Sequence, residues 1–206
     1  MTDPLLLDLP ARIDTERLIM RPPQAGDGLM FHAAVVESLS ELRRFLASLS
    51  WVAGDQTVDA AELHCRNAQL NFLARKDLPF LLLEKGSGEM VGVAGLHRTQ
   101  WATPKTEVGY WSRLSTSGRG YIIEAVDALV QYAFDHMRAV RVELITDEEN
   151  HASRRVADRC RFALEGILRN ERRTVDGSLR NACIYARFPN ADKEVAGIAR
   201  TRRGPG

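Results

Sequence analysis

The sequence predicts an α/β fold of the α+β kind, a largely antiparallel sheet with helices on both faces. Three observations predict it. Short apolar runs are bounded by glycine- or proline-bearing turns, which marks strands. Neighbouring runs are close enough to pair as hairpins. Between them lie segments whose apolar residues recur at helical spacing.

In chain order, Arg17, Leu18, Ile19, Met20 and Arg21 alternate polar and apolar and end at Pro22 and Pro23, a half-buried first strand. Asp27 reads as the N-cap of a helix carrying Met30, Ala33, Ala34 and Leu42, and Asp59 as the start of another running through Leu63, Leu70 and Phe72 to Ala74. The runs 80–84 and 90–96 flank Gly86, Ser87 and Gly88 and make a hairpin, and Glu107 to Trp111 forms a further strand. Ile122, Val126, Leu129, Val130, Ala133, Phe134 and Met137 form one broad helical stripe. A strand over 141–146 follows, then a short helix over 150–159 with Ala152, Val156 and Cys160 inward. Last comes a hairpin over 163–188 turning near Asp176 and Gly177. The order is strand, two helices, three strands, helix, strand, helix, two strands.

Composition excludes several function classes. A chain of 206 residues that is 45% hydrophobic and 27% charged holds one domain with a real core. Lys plus Arg number 28 against 27 Asp plus Glu, so the formal charge of +1 gives no global pull toward nucleic acid or an anionic membrane. Cys65, Cys160 and Cys183 suit neither a disulfide framework nor a zinc site, and the five histidines form no spaced cluster, so no metal is expected. Met1, Thr2, Asp3 and Pro4 lack the start of a signal peptide, and no apolar stretch approaches the roughly 18–20 residues of a membrane span. The expected location is cytoplasmic. From Ala191 the chain turns polar and ends in arginines, a tail expected to be loosely docked.

Ser115, Thr116, Ser117, Gly118, Arg119, Gly120 and Tyr121 stand between a strand and the opening turn of the best helix. Backbone N–H groups at a helix start are unpaired and carry the positive end of the dipole, so they form an anion site. Gly118 and Gly120 admit a ligand close to the backbone, and Arg119 can add a charge-assisted contact, which points to a pyrophosphate. A dinucleotide fingerprint would need glycine at Ile123, and a P-loop would need a Gly-Lys-Ser/Thr run that is absent.

Taken together, Thr15, Glu16, Arg17, Leu18, Ile19, Met20, Arg21 and Pro22; Gly109, Tyr110 and Trp111; Gly118, Arg119, Gly120 and Tyr121 with Glu124 and Ala125; Asn150, His151, Ala152 and Ser153; and Arg161, Phe162, Glu165, Gly166 and Arg169 resemble the GNAT acetyltransferases, closely the RimJ/RimL-like branch. The resemblance covers residues 13–188, leaving 189–206 as a tail. It implies a sheet of six to seven strands splayed between its fourth and fifth, with the pantetheine of acetyl-CoA in the gap against Trp111, Ser112 and Arg113. The pyrophosphate would rest on Ser117, Gly118, Arg119, Gly120 and Tyr121, and the Asn150 amide would bond the cofactor arm, a role compatible with plain helix capping.

The implied chemistry is attack of a neutral amine on the thioester. Glu107 is then the candidate base, directly or through water, with a solvent-facing strand-end glutamate as the competing reading. Ser153 is the candidate to protonate the thiolate or bond the pantetheine. The sequence departs from the family at Ala157, where many members have the tyrosine acid, at Ser115, which replaces a longer polar residue, and at Arg161, where glycine is usual. His97 is placed to line an acceptor pocket, though a satisfied or solvated histidine is the commoner state. Trp51, Trp101 and Phe80 are further pocket candidates, with a core role favoured for Phe80. The acceptor is a protein N-terminus or a small amine, and a homodimer follows from the resemblance. The competing readings are a non-catalytic acyl-CoA sensor, a transferase for a longer donor such as succinyl-CoA, and an RNA-binding module using the tail with Arg172, Arg173 and Arg180.

Overall fold

The computed structural model describes residues 3–47, 49–174 and 177–189. Its elements are β1 (Ile13–Asp14), β2 (Leu18–Arg21), α1 (Gly28–Leu46), α2 (Ser50–Ala53), α3 (Val58–Leu73), β3 (Leu78–Glu84), β4 (Met90–Gln100), β5 (Lys105–Ser112), α4 (Tyr121–Asp135), β6 (Arg141–Asp147), α5 (His151–Arg159), β7 (Ala163–Arg173) and β8 (Leu179–Arg187). The strands form one sheet in the order β1-β2-β3-β4-β5-β6-β8-β7. Every neighbouring pair is antiparallel except β5–β6, whose parallel joint requires the crossover that α4 provides. The sheet has eight strands because the two-residue β1, too short to carry a pattern, pairs with β2.

The long apolar run of β3 is a central strand buried on both faces. Leu78, Phe80 and Leu82 pack with Val126, Leu129 and Ala133 of α4, while Leu81 joins Phe31, Val35, Met90 and Trp111 beneath α1. Each such side chain stabilises by about 1.5–3 kcal/mol, so the two clusters clamp the sheet between helix layers.

Three helix readings are corrected. Asp27 stands at the N-cap of α1 but makes no side-chain cap; its carboxylate takes Arg21 at 2.6 and 2.7 Å and the Gln24 N–H at 2.8 Å. The α3 helix begins earlier, capped by Thr57, whose Oγ1 accepts the Ala60 N–H. Its inward face is Ala61, Cys65, Ala68 and Phe72, and Leu63 and Leu70 face solvent. In α5, Ala157 and Cys160 are buried and Ala152 is exposed, because the helix turns its 153–157–160 face to the sheet. Arg161 takes φ +59° after α5, a left-handed conformation that glycine, the residue the resemblance leads one to expect there, would adopt without strain. The tail from 190 and the Asp176 half of the expected β7–β8 turn lie outside the described residues.

The β5–β6 joint positions the site. Pairing covers only Lys105↔Arg141, Thr106↔Val142 and Glu107↔Glu143, after which 108–112 and 144–147 have no partner in each other. Toward β4, by contrast, β5 is paired up to Ser112↔Gly92. A wedge therefore opens inside the sheet, pointing its apex at Glu107.

Candidate active site

At the mouth of this wedge lies the glycine loop. Gly118 and Gly120 adopt φ of +79° and +83°, which turns the chain sharply into α4. The N–H groups of Gly118, Arg119, Gly120 and Tyr121 have no acceptor among the described residues, and no side chain caps the helix. Four donors thus stand without an acceptor among the described residues at the positive end of a helix, where an anion is favoured.

Two elements pin the loop from opposite sides. From α1, Glu37 accepts the Ser115 N–H at 2.7 Å and Arg113 Nε at 2.6 Å, and Ser38 Oγ accepts the Leu114 N–H. Hydrogen bonds from Ser115, aided by the Arg113 guanidinium, outweigh burial and hold the Glu37 carboxyl down at about 2. From β2, Arg17 gives its N–H and Nε to Glu124, both at 2.7 Å, lays its guanidinium over the Tyr121 ring and donates Nη1 to the Arg119 carbonyl at 2.9 Å. That last bond fixes the Arg119–Gly120 peptide plane. Because N–H and C=O point oppositely in a trans peptide, the Gly120 N–H is turned away from Arg17. Burial tends to raise the Glu124 carboxyl, but hydrogen bonds from Thr15 and Arg17 prevail and lower it. The sequence offers Arg17 and Glu124 only as motif residues, since a pair 107 positions apart leaves no local signal.

Within the wedge, strand alternation decides what faces the gap. The Arg113 N–H bonds Val91 O, and Trp111, two residues earlier, turns its backbone the same way. Of the three residues set against pantetheine by the sequence, Ser112 is therefore the one whose N–H and C=O face the gap, joined by Tyr110. The Arg113 guanidinium is held by Glu37 and Glu89.

Tyr110 also sends its phenol across to α5, with Oη 2.8 Å from Ser153 Oγ. Burial pushes the phenol pKa up, partly opposed by the Ser153 bond, so it stays protonated. Asn150 caps α5 through Oδ1, which accepts the Ser153 N–H at 3.0 Å, and its Nδ2 makes no hydrogen bond among the described residues. Ala157 is buried, and the phenol reaching this helix comes from the sheet instead.

The opposite face of β5 looks toward α1. Trp111 packs there on Phe31 and Trp51, and Phe31 stacks on His64, whose pKa burial lowers. Toward the apex the floor becomes Gly95 and Gly109, paired across β4 and β5, and then His97 and Glu107. The Glu107 carboxylate is bound by Arg98, and His97 Nδ1 lies 3.2 Å from Asp77 Oδ1. Phe80 is fully buried core, and Trp101 donates Nε1 to the Arg75 carbonyl at the far turn. Among the described residues no group of three or more His, Cys, Asp or Glu could hold a metal, and no helix is long and apolar enough to cross a membrane.

Residues 17–163 match the family model for an acetyltransferase (GNAT) domain. The chain belongs to the GNAT family. Among GNAT relatives, the Bacillus subtilis protein YdaF, provisionally named a ribosomal N-acetyltransferase, is 34% identical over 83 residues, 40% of this chain and 45% of YdaF, so the match spans about half that relative. The GNAT fold is shared with RimL, a ribosomal L7/L12 alpha-N-protein acetyltransferase solved with coenzyme A, at TM-score 0.78 and 21% identity over 89% of this chain and 99% of RimL. It is shared too with the microcin C7 self-immunity acetyltransferase MccE, solved with acetyl-CoA and AMP, at TM-score 0.77 and 19% identity over 87% of this chain and 97% of MccE.

Proposed function

We propose that this GNAT protein transfers an acetyl group from acetyl-CoA to a primary amine, the N-terminus of a protein or a small-molecule amine. The observation that carries the reading is the continuity of four unsatisfied N–H groups at the start of α4 with the unpaired edge of β5. The first fits a pyrophosphate; the second fits an arm with strand-like amide spacing, as a sheet edge accepts an added strand. Ser117, Gly118, Arg119, Gly120 and Tyr121 would hold the phosphates. Ser112, Tyr110 and the Asn150 Nδ2 would hold the arm.

The bound thioester supplies an activated acyl carbon. The chain's own groups supply the rest. The Ser153 hydroxyl would give a proton to sulfur as the C–S bond breaks, a role supported by its bond to a phenol kept protonated. Backbone N–H groups at the apex of the wedge would stabilise the oxyanion. Two groups face that apex from the α1 side: Glu107, which is bound to Arg98, and His97. The acceptor enters over this face, between the aromatic cluster and the two glycines. The catalytic unit would comprise residues 13–188, and a homodimer in the cytoplasm completes the proposal, supported by the resemblance and by three buried free thiols, which suit a reducing setting.

Calorimetric titration with acetyl-CoA, with NAD as the control ligand, tests the cradle. One-site binding of acetyl-CoA alone supports the assignment, and release of free thiol with N-terminal peptides or small amines then establishes turnover. Absence of acetyl-CoA binding overturns the reading. Binding without turnover toward any amine would instead favour the acyl-CoA sensor.

A further inference from the structure

Resting on that reading, we propose that His97, oriented by Asp77, is the catalytic base that takes the proton from the acceptor ammonium, and that the Gly95–Gly109 pair is the berth built for its ring. The inference begins with register. Leu78 pairs with Leu96, so Asp77, one residue beyond, comes opposite His97, and His97 in turn pairs with Glu107 and Glu107 with Glu143. Four polar side chains thus form a row across four neighbouring strand lines, on one face and at the level of the wedge apex.

Their partners separate their roles. Glu107 is bound by Arg98, which the left-handed backbone of the β4 irregularity (φ +51°) turns onto the same face. Glu143 is bound by Arg141 at 2.7 Å and lies 3.5 Å from Lys105. Each glutamate therefore has its own cation. The imidazole of His97 has a carboxylate, Asp77, at 3.2 Å from Nδ1. An Nδ1–H donated to Asp77 leaves Nε2 as the ring's lone-pair nitrogen, the state a base requires.

The second observation is what Nε2 faces. A Cβ on Gly95 would come 3.0 Å from Nε2, and one on Gly109 would come 3.2 Å from Cδ2 and 3.5 Å from Nε2. The ring therefore lies along the sheet with Nε2 over two cross-strand glycines. Gly109 follows the last paired residue of β5 by two positions, where the strand leaves β6. The His97 side chain is about one-third exposed, at 37%, so the ring is open to solvent on one side. Glu107 is more enclosed, at 15%, and would have to release Arg98 to act.

In balanced form, the acceptor ammonium loses one proton to His97 Nε2. Its freed lone pair forms the N–C bond at the thioester carbon. The C–S bond breaks with its electron pair on sulfur, which takes the second amine proton by way of Ser153. The imidazolium, steadied by Asp77, returns its proton to water.

The test compares two acceptors in the full-length protein: a short peptide with a free N-terminal serine, which arrives as an ammonium, and hydroxylamine, whose nitrogen lone pair is free at neutral pH. His97→Gln should lower kcat/KM for the peptide about 100-fold, leave calorimetric acetyl-CoA affinity unchanged and retain most hydroxylamine transfer. Asp77→Asn should move the acidic limb of the peptide pH–rate profile, which a merely structural contact would not. If wild type transfers to neither acceptor, the proposed activity itself fails. If wild type transfers and His97→Gln keeps full peptide activity, or loses both acceptors equally while still folded and binding acetyl-CoA, the base assignment is overturned. Loss on Glu107→Gln with His97→Gln intact would overturn it in favour of Glu107.

Discussion

The two edges of β5 are made of the same eight residues yet behave oppositely. Toward β4 the strand is paired to Ser112; toward β6 it lets go after Glu107. The paired edge is a rigid joint with no room to spare, and the free edge is a sheet edge hidden inside a sheet. Natural proteins cover or charge such edges, so one left open beside the glycine loop supports the groove proposed for the arm of acetyl-CoA.

The sharpest test of this contrast uses glycines. A Cβ on Gly92, at the paired edge, would meet Trp111 O at 2.4 Å and Ser112 Cα at 3.2 Å, whereas one on Gly118 meets nothing within 4 Å. Gly92→Ala should destabilise by about 3 kcal/mol through overpacking. Gly118→Ala should cost about 1–2 kcal/mol, from its left-handed backbone alone. Urea unfolding of both variants decides it, and a Gly118 loss equal to that at Gly92 would break the contrast.

Across the free edge, Tyr110→Phe removes the phenol bonded to Ser153 and keeps the packing. Turnover should fall by about a hundredfold at unchanged acetyl-CoA affinity, and if the hydroxyls act as a unit Ser153→Ala alone should cost as much as the two changes together. Steady-state kinetics on the three variants would show independence as additive losses.

What the sequence made legible follows the same division. The glycine loop, the α4 stripe and the β3–β4 hairpin are contiguous signals, and each appears where its pattern places it. The contacts that arm the site are not contiguous. Asp77 with His97 is joined by strand register, and Arg17 with Glu124 and Tyr110 with Ser153 by the packing of α4 and α5 on the sheet, neither of which a local pattern encodes. Leu63 and Leu70 misled for the converse reason: leucine fits a helix anywhere, and α3 turns its smaller Ala61, Cys65 and Ala68 to the core. Glu107 was legible as a carboxylate beside the splay, while Arg98, which binds it, is aimed by an irregularity in β4 that the sequence does not announce.

Arg17→Ala tests how far the cradle depends on its outer strap. Freeing the Arg119 carbonyl should raise the Kd for acetyl-CoA about tenfold, roughly 1.4 kcal/mol, while Arg12→Ala, which breaks only the exposed pair with Asp14, should leave it unchanged. An unaltered Kd after Arg17→Ala would mean that the two glycines alone preset the loop.

The inner strap is Glu37, and its effect should be the smallest and the most dependent on pH. Its carboxyl falls from an ordinary 4.5 to about 2 in the folded protein, so its stabilisation is complete above pH 4.5 and disappears as pH drops toward 2. The side chain is 29% exposed, and solvent screening reduces the expected gain to about 1 kcal/mol. Wild type minus Glu37→Gln, from urea unfolding at pH 6 and again near pH 3, should therefore shrink on acidification. A difference constant with pH would show that Gln satisfies Ser115 and Arg113 as well as the charge does. A difference that shrinks, together with a weaker grip on acetyl-CoA, would mean that α1, which packs on the Trp111 face of β5, also sets the loop beside its free edge, so that the two are coupled through one carboxylate.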